Sequence, residues 1–460
     1  MQTTNISTPL EAAQLNDEFD GRVIGPADAD YDALRAVMAG GIDRRPAAIV
    51  RVANARDLAR AIALARELGL ELAVRSGGHS GAGHGATEGG LVIDLRDLDE
   101  LDIDVAGRTA WAGSGLTAGA YTAAAAEHGL ATGFGDTGSV GLGGLITGGG
   151  IGYLSRKHGL TIDNLLAAEV VTADGRILDV DADRHPDLFW AIRGGGGNMG
   201  VVTRFRLRLH PIEGFVGGML ILPATPDVIA GFIAAAESAP DELSTIANVM
   251  PAPPMPFLAE EHHGRLVVLG MVAHAGSPDA ADAAIAPFRA LAEPYADLVR
   301  PMAYPEMFPP DDPDYHPTAV ATTMFVDRIG PAEAQTIVER LRASDAEMRV
   351  AQLRVLGGAM ARVPADATAY AHRSSRILVN LAAFYEGEEE RGGREAWVAD
   401  FAARLDQGDP GAYVNFLGDE GSQRVRAAYP AATYERLAEV KRRYDPQNLF
   451  RLNQNVPPAT

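Results

Sequence analysis

Cysteine is missing altogether from the 460 residues. Disulfides, thiolate zinc sites, iron–sulfur clusters and a cysteine nucleophile are excluded with it. Positive charge is in the minority: 40 Lys and Arg stand against 61 Asp and Glu, a net charge of −21. That balance repels phosphate backbones and anionic lipid, so neither nucleic acid nor membrane is expected as a partner. No apolar run is long enough to span a bilayer. The opening MQTTNISTPLEAAQLNDEFDG has no basic start and no apolar core, so no secretory leader is read there and a cytoplasmic location is expected. What remains is ordinary globular material, 47% hydrophobic and 22% charged, long enough for a sizeable core and a cleft between domains.

What is abundant is glycine, 51 residues, and it is concentrated. From about Pro46 to Leu209 short strands and helices alternate around glycine-rich loops. Asn54 reads as a helix cap, Asp57 falls in the first turn, Leu58, Ile62 and Leu68 form the apolar stripe, and Gly69 stops the helix. Strands are expected at residues 71–75, 91–95 and 201–209. Ala173-Asp174-Gly175 reads as a hairpin turn between residues 165–172 and 177–180. Past His210-Pro211 the strands lengthen and glycine thins out, which predicts a second domain on an antiparallel sheet with helices on one face. Within it, residues 251–256 and 301–317 are proline-rich loops, of the length that often lines a site. The tail from Thr433 starts as a helix.

Three glycine clusters carry the chemistry: RSGGHS at 75–80, residues 138–152, and GGGGNMG at 194–200. Glycine lets backbone N–H groups turn toward an anion, and Arg75 adds positive charge beside the first loop. Any one cluster alone reads as a tight turn. Together they suggest a long ligand lying against backbone, such as a dinucleotide. A Rossmann site does not fit, because Gly148, Gly150 and Gly152 are spaced G-x-G-x-G with no clean strand before them, and Glu169 begins an apolar strand. Metal binding through His79 and His84, or His262 and His263, lacks any supporting carboxylate cluster. His84, His262 and His263 are expected to be ordinary surface histidines.

Four segments resemble the berberine bridge enzyme-like branch of the vanillyl-alcohol-oxidase flavoproteins: RSGGHS at 75–80, GSVGLGGLITGGGIGYLSRKHGLTIDNL at 138–165, HPDLFWAIRGGGGNMGVVTRFRLRL at 185–209 and YDPQNLFRLNQNVPP at 444–458. The resemblance implies an α+β fold with a PCMH-type FAD-binding domain over residues 1–211. An antiparallel-sheet substrate domain would cover 212–404, and a C-terminal segment, 405–460, would return to the FAD domain. It implies FAD bound covalently through His79. Arg75, Ser76, Gly77, Gly78 and Ser80 should hold the cofactor, with Thr137, Gly138, Ser139, Val140, Gly143, Gly144, Gly148, Gly149 and Gly152. The adenine end should meet Gly200, Val201, Val202 and Thr203, and Asn453 and Asn455 should close over the flavin.

The chain also departs from the family. Thr137 occupies the position of a second, cysteinyl attachment, so a single covalent link is implied. The aromatic of R-K-Y-G-L is His158 here. The late-strand catalytic position falls on Asn380, with Tyr385 in the place of a usual Trp, and Y-x-N-Y reads Tyr413-Val414-Asn415-Phe416. His158, Asn380 and Tyr413 are the catalytic candidates. Histidine is favoured as base on its intrinsic pKa. Each also has a plain structural reading: a helix C-cap for His158, a satisfied sheet amide for Asn380, an interface core residue for Tyr413. Val140 takes the position associated with O2 access, and a small side chain there resembles the oxidases. The implied reaction oxidises an alcohol, sugar or amine C–H of a small-molecule substrate with O2. The alternatives are a dehydrogenase using another acceptor and a flavin-binding protein with little turnover.

Overall fold

Asn54 opens the first long helix, Ala55–Leu68, by accepting the backbone N–H of Arg56 and Asp57, and Gly69 ends it at φ 64°. These elements belong to a computed structural model that describes residues 15–310, 312 and 314–460. The N-terminal stretch read for a leader lies outside the described residues up to Gln14. The helix buries Leu58, Ala61, Ile62, Leu64 and Ala65. Leu68 is exposed, against expectation: at ~100° per residue the stripe through 58, 62 and 65 continues to 69, not 68. Asp57 ties the helix to the chain before it, accepting from the N–H of Asp20, Gly21 and Ala53.

That helix feeds Leu72–Arg75 into a four-stranded sheet. The order is Arg22–Ile24, Ala48–Arg51, Leu91–Asp94, Leu72–Arg75, with parallel pairing everywhere except at the first pair. A second, antiparallel sheet of five strands follows, in the order Leu101–Asp104, Thr109–Gly113, Val201–Arg208, Leu165–Val171, Ile177–Asp181. Period two is plain in Val201–Arg208, where Arg204, Arg206 and Arg208 face water while Phe205 and Leu207 are buried.

The third large element is an eight-stranded antiparallel sheet drawn from residues 216–384. One face is apolar: Ala247, Val249, Ala351, Leu353, Val379 and Leu381 pack under helices through Phe232, Phe288, Ile337 and Phe401. Those helices are Pro226–Ser238, Pro278–Arg289, Pro331–Ala343 and Glu388–Leu405. The opposite face carries a row set by strand register: Asn248 opposite Gln352, Gln352 opposite Asn380, Asn380 opposite Thr323. A polar row on a sheet whose other face is all core marks this side as the one turned to a ligand. After the sheet, the helix Ala431–Tyr444 brings the tail back to the loop at 194–198, where Lys441 Nζ donates to Asn198 O at 2.7 Å.

Candidate active site

The first two glycine loops are pressed together backbone to backbone. A Cβ on Gly77 would sit 2.4 Å from the nitrogen of Gly141, and one on Gly141 would sit 2.2 Å from the nitrogen of Gly77. Only glycine permits that approach. Ser76 locks it, donating to Ser114 O at 2.6 Å and accepting from the N–H of Gly143 at 3.3 Å. Gly78 turns the chain at φ 73° and sets the half-buried His79 at the loop tip, with Ser80 beside it. Gly81, Gly144 and Gly197 behave differently: nothing lies within 4 Å of where their side chains would be. The clusters thus combine closed backbone contact with open glycine surface, the form a cradle takes.

Arg75 does not add charge to that cradle as expected. Its guanidinium points inward, buried, bonding to Asp94 at 2.7 Å and to the carbonyls of Leu34 and Ala36. Asp94, itself fully buried, needs this partner more than an external anion does.

Beyond Thr137, the backbone of residues 138–140 is tied down, with Gly138 O accepting from Gly119 and Val140 O from Ala118. Phe308, from the proline-rich loop at 301–317, closes over Gly138, 3.4 Å from where its Cβ would be. Thr137, Ser139 and Val140 are half-buried, and Val140 leans on the main core. Gly143 and Gly152 are held by close neighbours, Ser76 and the carbonyl of Phe134, and Gly148 by Asn415. Gly149, at φ 140°, lies beneath the rings of Tyr413 and Tyr370.

The tail forms the third wall. Lys441 and Asp445 pair at 2.8 Å, both fully buried. Lys441 also bonds the carbonyls of Asn198 and Phe450, while Asp445 accepts from the N–H of Leu449 and Phe450. The Asn198 side-chain amide donates to Gln454 O at 3.1 Å and accepts the Val456 N–H at 2.8 Å. This holds Asn453 and Asn455 in place, and the Oδ1 of each is buried without a partner. Buried unpaired amide oxygens are costly and call for a donor such as a heterocyclic N–H. At the far end Gly200, at φ 156°, leads into the buried Val201 and Val202, and Thr203 donates to Glu169 at 2.7 Å. Glu169 is thereby spent within its own sheet.

Tyr413 is the best-placed titratable group. Its phenolic oxygen accepts the N–H of Gly150 at 3.0 Å and of the Asn415 amide at 3.2 Å. Burial pushes its pKa up, while those two donors and the Arg354 charge pull the other way. Arg354 rises from the polar face of the large sheet, bonds Gln352 at 2.7 Å and Asp136 at 2.8 Å, and lies over the Phe416 ring at 5.1 Å. Sheet face, tyrosine and second glycine loop meet there. Asn380 sits in the polar row, and its Oδ1 is buried and unpaired. It therefore is not a satisfied sheet amide.

His158 is placed differently. Its ring stacks on His210 at 4.0 Å, its Nε2 is buried and unpaired, and burial drives its pKa down to about 3. The expectation that it titrates near neutrality is wrong, because the stack and the low-dielectric site disfavour the cation. His84 is half-buried, not on the surface, and burial holds it at about 4. His262 stacks on Tyr295 at 3.8 Å. Among the described residues no group of three or more His, Asp or Glu could hold a metal. Arg354, Asn415 and Tyr370 escaped the reading of the sequence as site residues. Gln352 and Arg354, two residues apart on one face of the strand Arg349–Val355, were the available signal for the first.

Comparison with known proteins agrees with this geometry. Residues 46–181 match the family described as FAD binding domain, and residues 412–457 the one described as berberine and berberine like. The (R)-6-hydroxynicotine oxidase of Paenarthrobacter nicotinovorans is 30% identical over 475 residues, 99% of both chains. A xylooligosaccharide oxidase of Thermothelomyces thermophilus is 29% identical, covering 90% of this chain and 88% of its own. The solved 6-hydroxy-D-nicotine oxidase from Arthrobacter nicotinovorans superposes with a TM-score of 0.85 at 28% identity, over 96% of this chain and 98% of that one.

Proposed function

The chain belongs to the berberine bridge enzyme-like FAD-linked oxidoreductases, and from that premise we propose that it is an oxidase carrying FAD on His79 through one covalent bond. The observation that carries the proposal is the pair of glycine loops in backbone contact below His79, together with a tail at the third glycine cluster whose Asn453 and Asn455 oxygens lack donors. FAD fits such a cradle, and Thr137 has no chemistry for a second bond. The division into an FAD domain at 1–211, a substrate domain at 212–404 and a returning segment at 405–460 is part of the same proposal.

When bound, FAD would supply the redox chemistry: it would accept a hydride, two electrons and one proton, from a substrate carbon, and those electrons with that proton and the proton lost from the substrate O–H or N–H would convert O2 to hydrogen peroxide. The protein does the rest. Tyr413 takes the proton from the substrate O–H or N–H as a phenolate; burial raises its pKa against the donors of Gly150 and Asn415, so that phenolate forms toward alkaline pH and the rate rises with it. Asn380 cannot act as a base and orients the substrate with its free oxygen. The Phe308 loop and the large sheet exclude water. The substrate is an alcohol, sugar or amine, as for the relatives named as oxidases of xylooligosaccharide and hydroxynicotine.

The test is a peroxide-coupled screen of sugars, alcohols and amines in air. At least one class is expected to bleach the yellow protein and yield peroxide in equal amount to product. Bleaching with turnover only on an artificial dye, and no peroxide, would make this a dehydrogenase.

A further inference from the structure

We propose that the joint between the two domains binds a single monatomic anion, a halide, in a small cavity lined by Arg156, Arg354 and Ser244. The cavity measures about 20 Å³, and its walls come from both sides of the joint: residues 151–156 of the second glycine segment, and residues 244–246 and 354–360 of the large-sheet domain. Arg156, Arg354 and Ser244 are 6%, 4% and 7% exposed. Each leaves one buried polar atom without a partner: Arg156 Nε, Arg354 Nη1 and Ser244 Oγ.

The chemistry of these atoms selects the occupant. Guanidinium nitrogens only donate. A water would satisfy them as an acceptor, yet of the three unpaired groups only Ser244 Oγ could accept one of its own hydrogens. An anion only accepts, and matches the set. Charge points the same way. Arg156 spends its other nitrogens on two carbonyls, Leu356 O at 2.6 Å and Ala239 O at 2.9 Å, with no carboxylate bonded to it. Asp241, whose field acts on it, is held by Arg362 at 2.7 Å. Arg354 has Asp136. Two buried guanidiniums with one bonded carboxylate leave a positive excess, and no acidic residue lines the cavity. Buried unmatched charge is costly, so an anion is favoured there. Size favours the class: a water needs ~10–15 Å³ of such space, so the room between the two guanidiniums and Ser244 suits one atom-sized guest.

The cavity shares Arg354 with the candidate active site, while Arg156 and Ser244 belong to it alone, so a halide peak that Ser244→Ala weakens is read independently of the flavin. The holoenzyme is to be crystallised from sodium bromide and, separately, melted in sodium gluconate with bromide replacing gluconate at constant ionic strength. An anomalous peak within hydrogen-bonding reach of Arg156 Nε and Arg354 Nη1 is expected, with a melting temperature that rises saturably with bromide. Ser244→Ala, a small change that keeps both arginines, should raise the half-saturating bromide concentration several-fold. Arg156→Met should abolish the peak if it folds. A wild-type map without an anomalous peak in the cavity, or a melting temperature indifferent to bromide, overturns the proposal.

Discussion

Tyr413 and His158 show how burial redistributes roles that residue type alone suggests. Histidine is the better base in water, but here it is stacked on His210 and held near pKa 3, so at neutral pH it is neutral and weakly basic. Tyr413, the poorer base in water, has two donors on its oxygen and the Arg354 charge acting on it; burial still raises its pKa, so it works as a base only where the phenolate forms, toward alkaline pH. Tyr413→Phe is therefore expected to slow flavin reduction by ~10²–10⁴-fold, and His158→Ala to leave it within a few-fold of wild type. Stopped-flow reduction with a substrate from the screen decides, and the reverse ranking would return the role to His158. Val140 allows a second residue-scale prediction. It is half-buried against the main core beside the second glycine loop. Val140→Leu adds a methylene where packing leaves little slack, so reoxidation of the reduced protein by air-saturated buffer should slow. An unchanged rate would mean that Val140 gates nothing. Neither the Tyr413–Gly150 bond, 263 residues apart, nor the Arg75–Asp94 pair was legible in the sequence, because local pattern carries no information on which distant group a buried side chain meets.

At the scale of elements the sequence was far more legible. The Asn54 cap and the Gly69 stop were readable because both rest on local backbone needs. The hairpin through Gly175, at φ 83°, was readable for the same reason. The last helix begins at Ala431, two residues before Thr433, since Pro430 can precede a helix but not sit within it. Less visible was what that helix does. Its Lys441 pairs with Asp445 one turn on and clamps the tail by two carbonyls. Lys441→Met would leave Asp445 buried without its counter-charge, at a cost of about 3–5 kcal/mol. Urea unfolding should show that loss, and limited proteolysis should cut the tail near residues 448–456 sooner than in wild type. A variant as stable as wild type would show that the clamp is not what holds the tail.

On the scale of the whole molecule, three sheets and one returning tail supply the pieces of the candidate site. The four-stranded sheet delivers His79, the second glycine loop its backbone, the large sheet its polar row, and the tail Asn453 and Asn455. The polar row was not foreseen as a row, since register between strands up to about a hundred residues apart decides that Asn248, Gln352 and Asn380 stand side by side. These pieces have a shared purpose only if a long cofactor lies among them, and the account places that cofactor on His79. Acid precipitation tests this most directly. The wild-type pellet should stay yellow, with mass spectrometry of its tryptic digest finding FAD on the His79 peptide alone, while His79→Ala should give a colourless pellet and a yellow supernatant. A colourless wild-type pellet, or flavin on any other peptide, would contradict the account.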